Sequence, residues 1–529
     1  VEVLVRLQLS EGEVGDDRST HVRGGGYNFG ASRALTAVML GIAQMKHRLN
    51  RALLQQPRMA GRLFRDYYGF SIVSEEELTS PNFQSMSFED TWRAVEGKAV
   101  RIARSLLEGR ADPSFSQSRQ SRKTPLHHCA EHGLTSLAEA LLAAGANPQA
   151  RSLPLKRTPL HAAIVHRSAG VVRALIAGRA DISSSDSQGR NALDLAQLLR
   201  WVAGQSLLGV TAVSLLPRRG TPELFAAPEL LPPGWQARWQ RGEMAGRAWS
   251  EQDDTCEIDI IESGELTATR FLSEYLSLRR PVLIRGGAAA MPAMERWPSL
   301  RYLARKAGTT EVTAVTIPYP EDFGDRDAKD ARKLALQDYI NNVMGRVNSS
   351  SGTPLFVFSV VEQQVPTFKK LLALVERDAA PHPSWMSPKP EDKFQFRFGN
   401  IQFGLGPPGS GAPQHYHTHA YTSLFSGRKR WWFHPPPSSA LSREHALRAA
   451  EADAAARRAV RPPPMGGEAA ARESLPLQCE QKPGDVVYVP TDWGHATLNG
   501  GEGAAVSVAR EFTWDAEETD SHVINSLQS

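Results

Sequence analysis

From Ser32 onward, Leu35, Val38, Ile42, Met45, Leu49 and Leu53 recur three or four residues apart. That is the period of one helix face, so the spacing predicts an amphipathic helix. Residues 1 to about 30 carry no such period, and Gly24-Gly25-Gly26 marks a loop. Further on, the pattern repeats itself. Thr124-Pro-Leu-His127 recurs as Thr158-Pro-Leu-His161, 34 residues later, and a degenerate copy, Asn191-Ala-Leu-Asp194, follows after 33 more. Each full copy runs on into an apolar helical stretch that ends in a Gly/Ala turn, Leu141 to Asn147 and Leu175 to Asp181. Leu106 to Asp112 is an earlier turn of the same kind and implies one more unit upstream. Proline suits the first turn of a helix, and glycine suits the left-handed residue that closes one.

The second half has a different texture. Residues 202 to about 253 carry Pro217-Arg-Arg-Gly220 and Leu231-Pro-Pro-Gly234, which break any regular element and predict a linker. Trp235, Trp239 and Trp249 suggest that this linker packs on something. From Cys256 short strands are expected: Arg280 to Gly286 ending in a turn, Val312 to Ile317, Pro354 to Val361, Phe394 to Phe403 with Phe394, Phe396 and Phe398 alternating, and Ala504 to Phe512. Helical pieces fall near Phe271 to Leu276 and Leu300 to Lys306. Glu321 to Lys333 reads as a solvated insertion, and residues 441 to 475 as a helix followed by the loop Pro462 to Gly467. Many short strands broken by Gly/Pro turns suggest a double-sheet jelly roll.

Composition adds limits. A chain of 529 residues has room for about three domains. Net charge is +4, from 61 basic and 57 acidic residues, which gives no electrostatic case for nucleic-acid binding. No apolar run approaches the ~20 residues needed to span a bilayer. Cys129, Cys256 and Cys479 form no CxxC or disulfide pattern. That spacing fits a reducing compartment, cytoplasmic or nuclear. The chain begins at Val1, so the lack of a leader carries no weight.

The chemistry concentrates in Ala412 to Tyr421, where His415, His417 and His419 stand at alternate positions. A strand points alternate side chains to one face, so these imidazoles are expected to converge there. A second segment, Pro483-Gly-Asp485 through Pro490 to His495 and Asn499, supplies a lone histidine from a distance. Neutral imidazoles from two segments are good ligands for Fe(II), Zn(II) or Cu(II). Asp492 lies three residues before His495 and reads as a loop carboxylate outside the ligand set. Asn499 reads as a turn residue, His434 as a loop residue, and Tyr421 and Trp431 to Phe433 as core.

Two resemblances follow from these motifs. The T-P-L-H repeat with a period near 33 resembles the ankyrin repeat. That implies a helical stack of about three repeats, His127 and His161 in structural roles, and recognition of a protein partner. The segments Arg280 to Gly286, His415-x-His417, Gly427-Arg-Lys-Arg-Trp431 and Pro483-Gly-Asp with Trp493-Gly-His495 together resemble the JmjC family of Fe(II)- and 2-oxoglutarate-dependent oxygenases, cupin-like barrels, over roughly residues 257 to 512. The expected fold is therefore multidomain α + β, an ankyrin stack followed by a JmjC-type double-stranded β-helix. The expected division is 1–84 helical and of no assigned role, 85–201 ankyrin, 202–253 linker, 254–515 barrel and 516–529 tail.

The resemblance implies His415, His417 and His495 as metal ligands, with His419 as second choice, and Lys429 as the anchor for the far carboxylate of 2-oxoglutarate. It also exposes a departure. The family places Asp or Glu two residues after the first histidine, whereas both registers here, His415-x-His417 and His417-x-His419, supply histidine. Three readings follow: a protein hydroxylase or demethylase, a catalytically degenerate barrel serving as an ankyrin-based adaptor, or a cupin metalloenzyme that does not use 2-oxoglutarate. The last predicts Lys429 outside the pocket.

Overall fold

The structure is a computed structural model. It describes residues 88–116, 121–209, 256–316, 331–344, 354–360, 368–388, 395–439, 442, 444–459, 475–501 and 503–514, with scattered positions from 27 to 39. The chain forms two compact units, residues 1–213 with 516–529, and residues 214–515.

The first unit is helical: α1 (Phe88–Glu108), α2 (Pro125–His132), α3 (Thr135–Ala143), α4 (Pro159–Val165), α5 (Ala169–Ala177), α6 (Ala192–Leu198) and α7 (Val202–Leu207). Each T-P-L-H motif starts a helix, with threonine as N-cap and proline in the first turn. His127 Nδ1 accepts the Thr124 backbone N–H at 3.1 Å, so its proton sits on Nε2, which donates to the Arg157 carbonyl at 3.0 Å. His161 repeats the arrangement with Thr158 (3.1 Å) and the Arg190 carbonyl (3.1 Å). Each histidine thus caps its own helix and reaches the loop of the next repeat. In the degenerate copy the Asp194 carboxylate accepts the Asn191 N–H instead. Gly133, at φ 68°, closes α2 in the left-handed region that favours glycine. Val202–Leu207 is helical and packs on α5 and α6. The start of the linker expected from 202 is therefore helical, and the rest of it, with its tryptophans, lies outside the described residues. Of the helix expected from Ser32, the described positions through Met39 are helical.

The second unit is built on two sheets. The strands are β1 (Asp259–Glu262), β2 (Val282–Arg285), β3 (Glu311–Val315), β4 (Arg332–Ala335), β5 (Phe356–Val360), β6 (Phe396–Gly406), β7 (Gly411–His415), β8 (His419–Ser426), β9 (Arg428–His434), β10 (Leu477–Gln481), β11 (Val486–Val489), β12 (Gly494–Gly500) and β13 (Ala505–Trp514). The large sheet runs β1-β2-β11-β8-β13-β6-β5-β3-β4 and the small one β10-β9-β12-β7. Between them lies a core of Leu283, Trp431, Phe433, Cys479, Val487, Val489 and Trp493. The small sheet's outer face, Trp432, Ala496 and Leu498, is covered by α8 (Ala446–Ala459) through Ala446 and Ala450. Period-two alternation explains this division: Lys429, Trp431 and Phe433 point inward while Trp432 points outward.

The expected strands appear at β2, β3, β5, β6 and β13, with ends shifted by a few residues. Most of the Glu321–Lys333 insertion and the loop Pro462 to Gly467 lie outside the described residues. The expectation for the cysteines is overturned. Cys256 and Cys479, read as unpaired, form a disulfide across 223 residues of sequence. The pairing exists because Glu257 lies along β10, its N–H bonded to the Gln478 carbonyl at 2.6 Å. This removes the cysteine argument for a reducing compartment.

Candidate metal centre

β7 ends at His415 and β8 begins at His419, so residues 416–418 turn between the two sheets. The expectation that three histidines share one strand face is therefore corrected. His415 comes from a strand, His417 from the turn and His495 from β12. Antiparallel pairing sets His415 directly across from His495. Ring centroids are 4.2 Å apart for His415–His495, 4.7 Å for His417–His495 and 5.6 Å for His415–His417. One ligand atom from each ring lies within 4.8 Å of the others.

The tautomers follow from the backbone. His415 Nδ1 meets the Pro413 carbonyl at 2.8 Å, His417 Nδ1 the Thr418 carbonyl at 2.7 Å, and His495 Nδ1 the Trp493 carbonyl at 3.0 Å. A carbonyl only accepts, so each Nδ1 carries the proton and each neutral ring keeps its lone pair on Nε2. Such a bond fixes ring orientation in metal sites. Burial, and then the neighbouring His417, lower the pKa of His415 to about 3. Burial, then His415 and His417, hold His495 well below its ordinary value. Both rings are thus neutral near pH 7, the form that binds a cation.

His419 is elsewhere. It is fully buried in the large sheet, with ring planes stacked against Tyr488 and Phe512. Its Nδ1 accepts from the Thr491 N–H at 3.1 Å and lies 2.8 Å from the Tyr488 hydroxyl. Asp492 also stays out of the cluster: its carboxylate pairs with Arg279 at 3.1 Å. Its N–H donates to the His417 carbonyl at 3.1 Å, which ties the turn bearing His417 to the segment before β12. Among the described residues this ligand cluster contains no carboxylate.

Lys429 lies on β9 opposite Asn499 of β12, and His495 lies opposite Phe433 on the same pair of strands. Four residues, an even step, separate 495 from 499, so His495, Asn499 and Lys429 face the same interior. The two rungs are about 13 Å apart along the strand. The Lys429 ammonium is buried and donates to Asn499 Oδ1 at 3.0 Å, while Asn499 Nδ2 donates to Ser410 Oγ at 3.0 Å. Burial pulls the Lys429 pKa down to about 7, and among the described residues no carboxylate offsets it. A buried ammonium held by one amide oxygen suits a small anion. Asn499 was read from the sequence as a turn residue; the even spacing from His495 was the signal for its interior position. His434, read as a loop residue, closes β9 opposite Gly494.

Comparison with known proteins agrees with this layout. Residues 268–520 match the cupin-like domain family, and residues 91–186 match ankyrin repeats in three copies. The chain carries a JmjC-like cupin domain preceded by ankyrin repeats. Among its relatives, the arginine-specific demethylase JMJ22 of Arabidopsis thaliana is 25% identical over 248 residues, 45% of this chain and 43% of the relative. The bifunctional arginine demethylase and lysyl-hydroxylase psr-1 of Caenorhabditis elegans is 23% identical over 255 residues, 46% and 58% of the two chains. JmjC domain-containing protein 8 of Homo sapiens is 36% identical over 97 residues, 18% and 33%. The chain spans less than two thirds of the length of each of these relatives. Among the described residues, no helix is long and apolar enough to cross a membrane.

Proposed function

We propose that this JmjC-like protein is an Fe(II)- and 2-oxoglutarate-dependent oxygenase acting on protein side chains, with the ankyrin repeats recruiting the protein. The observation that carries this reading is the pairing of three clustered imidazoles with a buried, anion-seeking lysine on one inner wall. His415, His417 and His495 would hold the metal through Nε2. Lys429, steadied by Asn499, would hold the distal carboxylate of the co-substrate. Fe(II) held there would supply oxidative decarboxylation of 2-oxoglutarate by dioxygen, coupled to hydroxylation of a C–H bond, that of an N-methyl group included. Trp431, 5.9 Å from the His495 ring, walls that side from water. Two relatives are named for arginine demethylation, and one also for lysyl hydroxylation, which supports arginyl or lysyl side chains as targets.

The interior position of Lys429 weighs against a cupin enzyme that ignores 2-oxoglutarate. The absence of a carboxylate from the described ligand cluster favours a second reading, a degenerate barrel serving as an adaptor. An all-imidazole set leaves one more positive charge on the metal than two histidines and a carboxylate would. The deciding experiment is anaerobic purification and metal analysis, followed by oxygen uptake and succinate formation with 2-oxoglutarate. Uncoupled turnover needs no known substrate. Iron retention with succinate release supports the oxygenase; neither metal nor turnover leaves the adaptor.

A further inference from the structure

We propose that the ankyrin unit carries a second metal site, formed by His128, Glu131 and His132 and suited to Zn(II). These residues stand at i, i+3 and i+4 on α2, so their side chains share one helix face. One ligand atom from each lies within 4.8 Å of the others, and His128 Nδ1 is 3.8 Å from Glu131 Oε2. His128 is buried, and Glu131 and His132 are half-buried. Two imidazoles and a carboxylate are donors that zinc takes readily, and the carboxylate offsets half of the ion's charge.

The repeat period adds a fourth group. His166 follows His132 by 34 residues, the same interval that separates the two T-P-L-H motifs. It lies near enough to act on the Glu131 charge, together with Lys123, His128 and His132. The ligand cluster itself stays on α2, with His166 beyond it. Because α2 packs on α4 of the next repeat, a cation held on α2 would brace that contact. In a short stack, stability depends on such neighbour contacts. Nothing in the recognition role of the repeats requires this cluster, and the T-P-L-H histidines are not part of it.

Lys123 is the built-in competitor. Its ammonium sits 3.0 and 3.3 Å from the two Glu131 oxygens, and a metal would have to displace it. This gives the site a signature that histidines binding a metal nonspecifically would lack: removing Lys123 should tighten binding.

The test uses the full-length, tag-free chain with His415→Ala and His495→Ala to silence the barrel cluster. Zinc retention after equilibrium dialysis is read by elemental analysis, with circular dichroism confirming the fold. This protein should retain about one zinc per chain. His132→Ala, at a half-buried position, should lose it, Glu131→Gln should weaken it, and Lys123→Met should tighten it. Zinc should also raise the unfolding temperature of the barrel-silenced chain but not that of its His132→Ala form. Failure of the barrel-silenced chain to retain zinc, or retention unchanged by His132→Ala and Lys123→Met, overturns the site. The barrel reading is untouched by either result, since two of its three proposed ligands are removed from this protein.

Discussion

His415 and His495 are direct cross-strand partners on β7 and β12, with ring centroids 4.2 Å apart. Two hydrogen-bonded strands therefore fix how these two imidazoles face one another. His495→Ala should abolish Fe(II) or Co(II) binding to the barrel, measured calorimetrically or from the Co(II) visible spectrum. Metal should also stabilise the fold: at a hundredfold excess over its dissociation constant, linkage gives about 2.7 kcal/mol. Chelator should lower the barrel's melting temperature in the parent and leave His495→Ala unchanged.

The histidine run separates two neighbours with opposite fates. His417 meets the cluster from a turn and forms part of it, whereas His419 is locked between Tyr488 and Phe512. His417→Asp should convert the set to two histidines and a carboxylate and raise Fe(II) affinity and uncoupled succinate formation. His419→Asp should leave a carboxylate buried among aromatic rings and cost on the order of 3 kcal/mol of stability. Chemical denaturation and iron titration on both variants check this. Higher iron affinity in His419→Asp and none in His417→Asp would reverse the assignment.

Lys429 makes a prediction in pH. Its folded pKa, about 7, lies below the ordinary lysine value of 10.5 because burial disfavours the ammonium. The folded state thus binds fewer protons between pH 7 and 10.5. Burial costs stability, fully below pH 7, on the order of 5 kcal/mol, and the cost fades as pH rises toward 10.5. Lys429→Met should therefore raise the melting temperature of the ligand-free protein at pH 6.5. The parent, loaded with Mn(II), should gain stability from 2-oxoglutarate at pH 6.5 and less at pH 8.5, where the free protein's lysine is mostly neutral. The variant should gain little at either pH. An equal gain in parent and variant would remove Lys429 from the co-substrate site.

Much of this was legible in the sequence, for identifiable reasons. Ankyrin helices announce themselves because Thr124 and Thr158 begin them and the period repeats the signal. The barrel strands show because turns and alternation are local. Legibility ended where an outcome depends on which strand lies beside which. No local pattern tells that β7 stops at His415, since His417 and His419 fit a continued strand equally well. Nor does it tell that Asn499 lies across from Lys429, which needs the β9–β12 register. Asp378 gave no signal at all. It is fully buried and accepts from Arg296, Trp297 and Tyr302, drawn from a distant segment, and from its neighbour Arg377. Burial opposes its ionisation, but those donors keep its carboxyl below the usual range.

Cys256 and Cys479 carry the last prediction. β10 is an edge of the small sheet, and such edges need cover. The chain entering the barrel supplies it: Glu257 donates to the Gln478 carbonyl, and the Gln478 N–H returns a bond to the Glu257 carboxylate at 2.8 Å. The disulfide fixes that cover beside Trp431, Phe433 and Trp493, the same wall that backs His495. Under denaturing, non-reducing conditions, alkylation should therefore label Cys129 alone, and reduction should expose the other two thiols. Cys256→Ser with Cys479→Ser should cost about 2–4 kcal/mol, the usual range for a bridge closing a long loop. Because the bridge braces the wall behind His495, the double variant should also bind metal in the barrel more weakly. Labelling of all three thiols without reductant would mean that no bridge forms.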